Sequence, residues 1–384
     1  MLTDAIPLIA GALVFLASLI SLKVGLSVAI VELLLGVVAG NYLGFQAEPW
    51  MAYLAGFGGI VLTFLAGAEV DLPLMRAKLK ESCLIGGASF LVPFIGAFAY
   101  AYFVLSWPLN AALITGVALS TTSLAVVYSV LVETGLTNTK LGKLIMASTF
   151  VTDMATALAL SLLFLKPSIY TGVFITVSIL VVWLASKFSW RIFDSRTLKN
   201  KVIEPEIKYL FFLMLVLIYF AGLGDSHAVL PAFALGLFMS PYFHENSETK
   251  LVRNRLRTVA YATITPFFFI NGGLNVSLPL VFGAAGLFLG LLIVKQVTKF
   301  IGVYFLARRY IPKGGRRFTT LLMSTGLTFG TISSVFGYQA GYIDQTQFSV
   351  IVAVVVASAV IPTFIAQKWF TPAHTEDIRD ASKL

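Results

Sequence analysis

Two acidic residues, Glu32 and Asp153, lie well inside long apolar stretches of this 384-residue chain. An ionisable group at the centre of a membrane helix costs roughly 2.5 to 3.5 kcal/mol on insertion scales, so each is a functional candidate. Asp153 sits mid-stretch in STFVTDMATALA, with Thr149, Thr152 and Thr156 on neighbouring helical positions. One carboxylate with hydroxyl and carbonyl oxygens around it is a hard-oxygen environment, suited to a dehydrated alkali cation or a proton. The same carboxylate could instead lock two helices together by ion pairing. Glu32, in VAIVELLLGVVAG, lies nearer the end of its stretch and is read as structural or interfacial.

Lys295 and Lys299, in LLIVKQVTKFIG, are one helical turn apart on one face. Either Lys299 snorkels to the nearby interface, or the pair supplies a cation that occupies Asp153 when no substrate ion is bound. Two further runs are polar at membrane depth. LSTTSLAV (119–126) brings Ser120, Thr121, Thr122 and Ser123, and MSTGLTFGTISS (323–334) brings Ser324, Thr325, Gly326 and Thr328. Such runs suit unwound backbone lining a cavity, and a pair of interrupted spans is a pointer to a transporter binding site. Small residues serving helix packing are the alternative. TPFFFINGGLN (265–275) is a third, weaker interruption.

The elements that must position these groups are membrane spans. Hydrophobic residues make up 58% of the chain and charged residues 12%, with 32 Phe, where a water-soluble domain carries about 25% charged residues. With a mean hydropathy of +0.90, a soluble enzyme is excluded. Cys83 is the single cysteine and there are three histidines, which leaves no internal disulfide and little material for metal-dependent catalysis. About 20 apolar residues cross the hydrocarbon core. Thirteen candidate spans follow: 6–22, 24–43, 51–68, 83–105, 109–132, 141–165, 169–185, 209–223, 228–240, 259–274, 280–306, 318–338 and 348–369.

Basic residues test the count. Alternate loops hold Lys23; Arg76, Lys78 and Lys80; Lys140 and Lys143; the group from Lys187 to Lys208; Lys250 to Arg257; Arg308 to Arg317; and Lys368, Arg379 and Lys383. Only Lys166 falls opposite, and Lys295 and Lys299 lie inside a span. By the positive-inside rule the N-terminus is outside and the C-terminus cytoplasmic. The net charge of +9 then reads as loop charge facing an anionic leaflet, not as a nucleic-acid surface. The first span, with Asp4 and no basic flank, is not expected to be a cleaved signal peptide, and no loop is long enough for a soluble domain.

The two interrupted spans are the fifth and the twelfth, seven apart. An odd offset means that the second half enters the membrane from the opposite side, so inverted repeats with broken helices at the midplane are expected.

In this order these residues resemble the monovalent cation:proton antiporter superfamily, in particular its second family of Na+/H+ exchangers and Kef-type K+/H+ systems. The resemblance is carried by VELLLGVVAGNYLG, FGGIVLTFLAGAEVDL, ALSTTSLAVVYSVLVETG, TDMATALA with Asp153, the K-x-x-x-K-x-x-G pattern of Lys295, Lys299 and Gly302, the twelfth-span run, and SAVIPTFIA (358–366). It implies an all-α fold of thirteen helices with two crossing broken helices, in a homodimer in the cell membrane. It also implies a core domain of about 83–165 and 280–370, a dimerisation domain of about 1–68 and 209–274, and a linker helix of about 169–185.

The function so implied is antiport of Na+ or K+ against H+, with both ions competing for Asp153 beside Thr152, and with Lys299 or Lys295 as ion-pair partner or second proton carrier. No cofactor is expected beyond the transported ions. There are two departures from the family pattern. Thr152 stands where electrogenic members carry a second aspartate, which favours an electroneutral cycle, and no nucleotide-binding domain is expected after the last helix. A channel-like cation conductance and an organic-anion transporter remain the alternative functions. The single midplane carboxylate and the lack of a midplane arginine speak against the anion.

Overall fold

The computed structural model describes residues 2–25, 27–70, 73, 75, 78–137, 139–165, 168–193, 203–224, 226–245 and 247–372. Arg76, Lys166, Arg196, Lys199, Lys201, Arg379 and Lys383, used above in the charge count, lie outside the described residues. Among the described residues the secondary structure is entirely helical. In chain order the elements are α1 (Leu2–Val24), α2 (Val28–Tyr42), α3 (Pro49–Ala68), α4 (Leu79–Ala99), α5 (Leu109–Ser120), α6 (Leu124–Glu133), α7 (Lys140–Leu163), α8 (Ile169–Phe193) and α9 (Pro205–Leu223). They continue with α10 (Val229–Glu245), α11 (Ser247–Val259), α12 (Thr265–Leu274), α13 (Leu278–Gly283), α14 (Ala285–Tyr310), α15 (Lys313–Met323), α16 (Thr328–Gln339) and α17 (Gln345–Trp369).

Among the described residues eight helices are long and apolar enough to cross a membrane, and three shorter apolar helices, α2, α5 and α10, accompany them. Every one of the thirteen stretches read from the sequence is helical over most of its length. The eighth to tenth stretches need wider bounds than hydropathy gave them. A π turn over Ala260–Ile264 joins α11 to α12, so the helix is unbroken from 247 to 274. Its first part, SETKLVRNRLRTV, is too charged to register as apolar, yet Val252 and Leu256 are buried. An amphipathic face, not mean hydropathy, holds that segment in place. Likewise α8 runs on through Lys187 and Arg191, shortening the polar loop that the sequence suggested.

Two compact units follow from the packing. One comprises 53–77 and 157–268. Its core is a cluster of Phe57, Phe64, Met214, Leu217, Phe193 and Phe243, with Phe193 stacked on Tyr242 at 5.1 Å between centroids. Ion pairs Arg257–Glu69 (3.6 Å) and Arg255–Glu204 (3.3 Å) tie its helix ends.

The other unit comprises 1–52, 78–156 and 269–384, and it holds Asp153, both buried lysines and both interrupted spans. Its α5 and α6 have 12 and 10 residues, and α15 and α16 have 11 and 12. At 1.5 Å per residue each is well short of the ~30 Å hydrocarbon core. Each pair therefore makes one crossing interrupted in the middle. α17 begins with a capping box, in which Asp344 Oδ1 accepts from Gln347 N (2.8 Å) and Gln347 Oε1 accepts from Asp344 N (2.9 Å).

Candidate functional site: two crossing helix breaks and a buried charge cluster

α5 stops at Ser120 because Thr121 turns to extended backbone (φ −68°, ψ 158°). The hydroxyls then close the last turn: Ser120 donates to Val117 O at 2.8 Å and Thr121 to Ala118 O at 3.1 Å. The second break repeats the device, with Ser324 donating to Thr320 O and Thr325 to Leu322 O, both at 2.7 Å. A helix end leaves carbonyls without intrahelical donors, and at membrane depth water does not supply them. Serine and threonine at these positions let the chain leave the helix without stranding those oxygens.

The two breaks meet. Ser123 N donates to Thr325 O at 2.8 Å, Thr122 Oγ1 donates to Met323 O at 2.9 Å, and the Ser123 and Thr328 hydroxyls lie 3.4 Å apart. Gly326 is seated against Thr121, where a Cβ would come within 2.6 Å of Thr121 Oγ1 and 2.7 Å of its carbonyl oxygen. The crossing thus brings together all eight residues that the sequence singled out as lining, and all but half-buried Thr328 are buried.

Both lysines point inward. Lys295 and Lys299 are fully buried on α14, so Lys299 does not snorkel. Its Nζ donates to Ser89 Oγ at 2.9 Å and to Thr122 Oγ1 at 3.1 Å. Gly302 makes this reach possible, since a Cβ there would lie 2.7 Å from Ala88 O on α4. Lys295 Nζ also reaches the crossing, 2.8 Å from where a Gly326 Cβ would stand. It therefore lies beside the C-terminal end of α5, whose partial negative charge an ammonium complements.

Asp153 is buried on α7 at 2% exposure. Its carboxylate and the Lys295 ammonium are the charges that act on Lys299. The flanking threonines spend their protons on backbone: Thr149 on Ile145 O (3.0 Å), Thr152 on Ser148 O (3.0 Å) and on Gly86 O of α4 (3.3 Å), and Thr156 on Thr152 O (2.9 Å). With the protons so placed, the threonine oxygens present lone pairs only. Among the described residues no group of three His, Cys, Asp or Glu side chains is arranged to hold a metal ion.

Glu32 is buried at 2% exposure on α2. Its helix lies tightly along α12, where a Cβ on Gly36 would overlap Ile270 O.

Ser89 was not among the residues the sequence singled out. The signal was present as Ser82, Gly86, Ser89 and Pro93, at helical spacing down the buried face of α4.

Residues 10–370 match the transmembrane family of sodium/hydrogen exchangers. The chain belongs to this family. Among curated exchangers, the probable Na(+)/H(+) antiporter 3 of Methanocaldococcus jannaschii is 27% identical, over 90% of this chain and 89% of its own length. The Na(+)/H(+) antiporter of Enterococcus hirae is 27% identical over 93% of this chain and 94% of its own. GerN of Bacillus cereus, a Na(+)/H(+)-K(+) antiporter, is 24% identical over 90% of each chain. Among solved structures, the sodium proton antiporter MjNhaP1 of Methanocaldococcus jannaschii at pH 8 superposes with a TM-score of 0.69 at 15% identity, covering 97% of this chain and all of that one. The fold of this exchanger-family chain is therefore that of a polytopic membrane antiporter, as the order of its motifs implied.

Proposed function

We propose that the protein is a secondary antiporter that exchanges a monovalent cation, Na+ or K+, for H+ by alternating access, with both ions competing for Asp153. The observation that carries this is the buried assembly itself: one carboxylate, two ammonium groups and the hydroxyl-rich crossing of two helix breaks within a single compact unit. A proton on Asp153 and a bound cation are alternative ways to neutralise the same buried charge. With neither present, the Lys299 ammonium, on which the Asp153 charge acts, serves as its counter-charge in this reading. This is chemistry of exchange, not of bond making, and the protein acts as a transporter and not as an enzyme.

Within this reading Thr152 and the hydroxyls of 120–123, 324, 325 and 328 supply neutral oxygens, Lys299 is the ion-pair partner of Asp153, and Lys295 holds the crossing. Glu32 has a structural place on α2. The core domain of about 83–165 and 280–370 moves against the dimerisation domain of about 1–68 and 209–274, with 169–185 as linker, in a homodimer of thirteen-span subunits. The N-terminus faces outward and the basic loops face the cytoplasm. The relatives named for Na+ and for Na+ with K+ leave both cations in the proposal.

The test is exchange in proteoliposomes carrying an internal pH dye, with Li+, Na+, K+ and Rb+ added in turn. Cation-driven proton movement at fixed stoichiometry is expected for Na+, K+ or both. Cation flux without coupled protons would replace antiport by a channel-like conductance.

A further inference from the structure

A polar cavity of about 480 Å³ opens at one end of α14, α15 and α17. It is lined by Lys313, Gly314, Arg316 and Arg317 from the start of α15, by Tyr304 from α14, and by Trp369, Phe370, Thr371 and Pro372 from the end of α17. Among the described residues three cations and no acidic side chain line this space. Two of the three are anchored. Arg316 Nε donates to Ile311 O at 2.8 Å, and the Arg317 guanidinium lies 5.4 Å over the Phe370 ring, so neither is a free surface arm. α15 starts after Pro312 with no side-chain cap, which adds the positive end of a helix to the same cavity. Gly314, in the first turn of that helix, lines the cavity.

Converging cations of this kind, two of them guanidinium groups that match a phosphate fork, fit a phosphate group. The surroundings decide its source. Trp369 is 59% exposed at the mouth, and Trp and Tyr at the end of a span mark the headgroup level of a bilayer. Along the same two helices run exposed apolar side chains, Ile301 and Phe305 on α14 and Ile361 and Phe364 on α17, a surface for acyl chains leading to the cavity. We propose that this cavity is a binding site for the phosphate of an anionic membrane lipid, held by Lys313, Arg316 and Arg317 on the unit that also carries Asp153.

The test uses the purified full-length protein and follows its melting midpoint in detergent. Phosphatidylglycerol, phosphatidylcholine and inorganic phosphate are added separately. Phosphatidylglycerol alone should raise the midpoint. The Lys313→Gln/Arg317→Gln double variant should lose that rise, whereas Lys140→Gln/Lys143→Gln, in the first turn of α7, should keep it. At about 1 kcal/mol per basic residue near an anionic lipid, the loss in lipid affinity is on the order of 25-fold. Gly314→Asp guards against a trivial folding defect, because a carboxylate in the first helical turn favours the helix while repelling phosphate. It should melt no lower than wild type and still fail to respond to lipid. Equal responses of both double variants would overturn the site in favour of diffuse leaflet attraction. An equal rise with inorganic phosphate would overturn the lipid assignment.

Discussion

Lys299 Nζ donates to Ser89 Oγ across 210 positions of sequence, at 2.9 Å. The bond fixes the ammonium at the contact of α4 with α14 and at the edge of the helix crossing, because the same Nζ also donates to Thr122 Oγ1. Thr122 in turn donates to Met323 O. One chain of donors therefore runs from α14 through the first break to the second.

Asp153→Asn should abolish cation-driven proton movement while leaving the protein inserted and folded. Asn keeps the volume and one acceptor oxygen but cannot trade a proton for a cation. Internal-dye fluorescence after a Na+ or K+ pulse should fall to the level of empty liposomes, with unchanged elution on size exclusion. Near-normal exchange by the Asn variant would sink the mechanism.

Charge and hydrogen bonding at Lys299 can be separated. Lys299→Gln retains donors for Ser89 and Thr122 but removes the counter-charge of Asp153, whereas Ser89→Ala retains the charge and removes one acceptor. A hydrogen bond to a charged group contributes about 1.5 to 3 kcal/mol, so Ser89→Ala should lower stability by an amount near the low end of that range. Its exchange rate should stay within about threefold of wild type, under 1 kcal/mol in barrier. Lys299→Gln should lose at least tenfold in exchange, about 1.4 kcal/mol, with less effect on melting. The reverse ranking in the transport assay would make Lys299 a structural tie and nothing more.

Two close approaches hold the cluster in register. Gly302→Ala would put a methyl 2.7 Å from Ala88 O, and Gly326→Ala would put one 2.7 Å from Thr121 O, both backbone atoms that cannot swing aside. Overpacking of this kind costs about 1 to 3 kcal/mol. Both variants should melt several degrees lower. Gly302→Ala should also weaken the reach of Lys299 to Ser89, so its exchange loss should add little to that of Ser89→Ala in the double variant. Fully additive losses would show that the glycine acts elsewhere.

What the sequence revealed of this site follows from the cost of polarity in a membrane. Asp153, Lys295, Lys299 and the two hydroxyl runs stand out because apolar surroundings make charge and unwound backbone costly. Ser89 did not stand out, since a serine within a helix can satisfy itself on a carbonyl one turn back and carries no such cost. Buried serines on α7 and α16 do this, as Ser148 and Ser333 show. Only the three-dimensional approach of α14, permitted at Gly302, distinguishes Ser89 from them. The extension of the tenth span into α11 was hidden for a related reason. Its charges lower the local hydropathy, while its fit depends on the direction in which Val252 and Leu256 face.

The charge balance of the cycle turns on Thr152. Two adjacent carboxylates can load two protons against one monovalent cation and so move net charge, but here the neighbour of Asp153 is a threonine whose hydroxyl is engaged with Ser148 O and Gly86 O. Asp153 then offers one exchangeable site. If Lys299 keeps its proton on Ser89 and Thr122 throughout, one proton exchanges for one cation and transport is electroneutral. An electrogenic cycle requires Lys299 or Lys295 to release its proton when the cation displaces it from Asp153. The measurement is Na+-driven exchange in proteoliposomes with the potential clamped by valinomycin and K+, or transient current on a solid-supported membrane if K+ alone is carried. Electroneutral exchange predicts rates that do not change with imposed potential and no net charge on cation addition. A steep dependence on potential that vanishes in Lys299→Gln would overturn one-for-one exchange and make that lysine the second proton carrier.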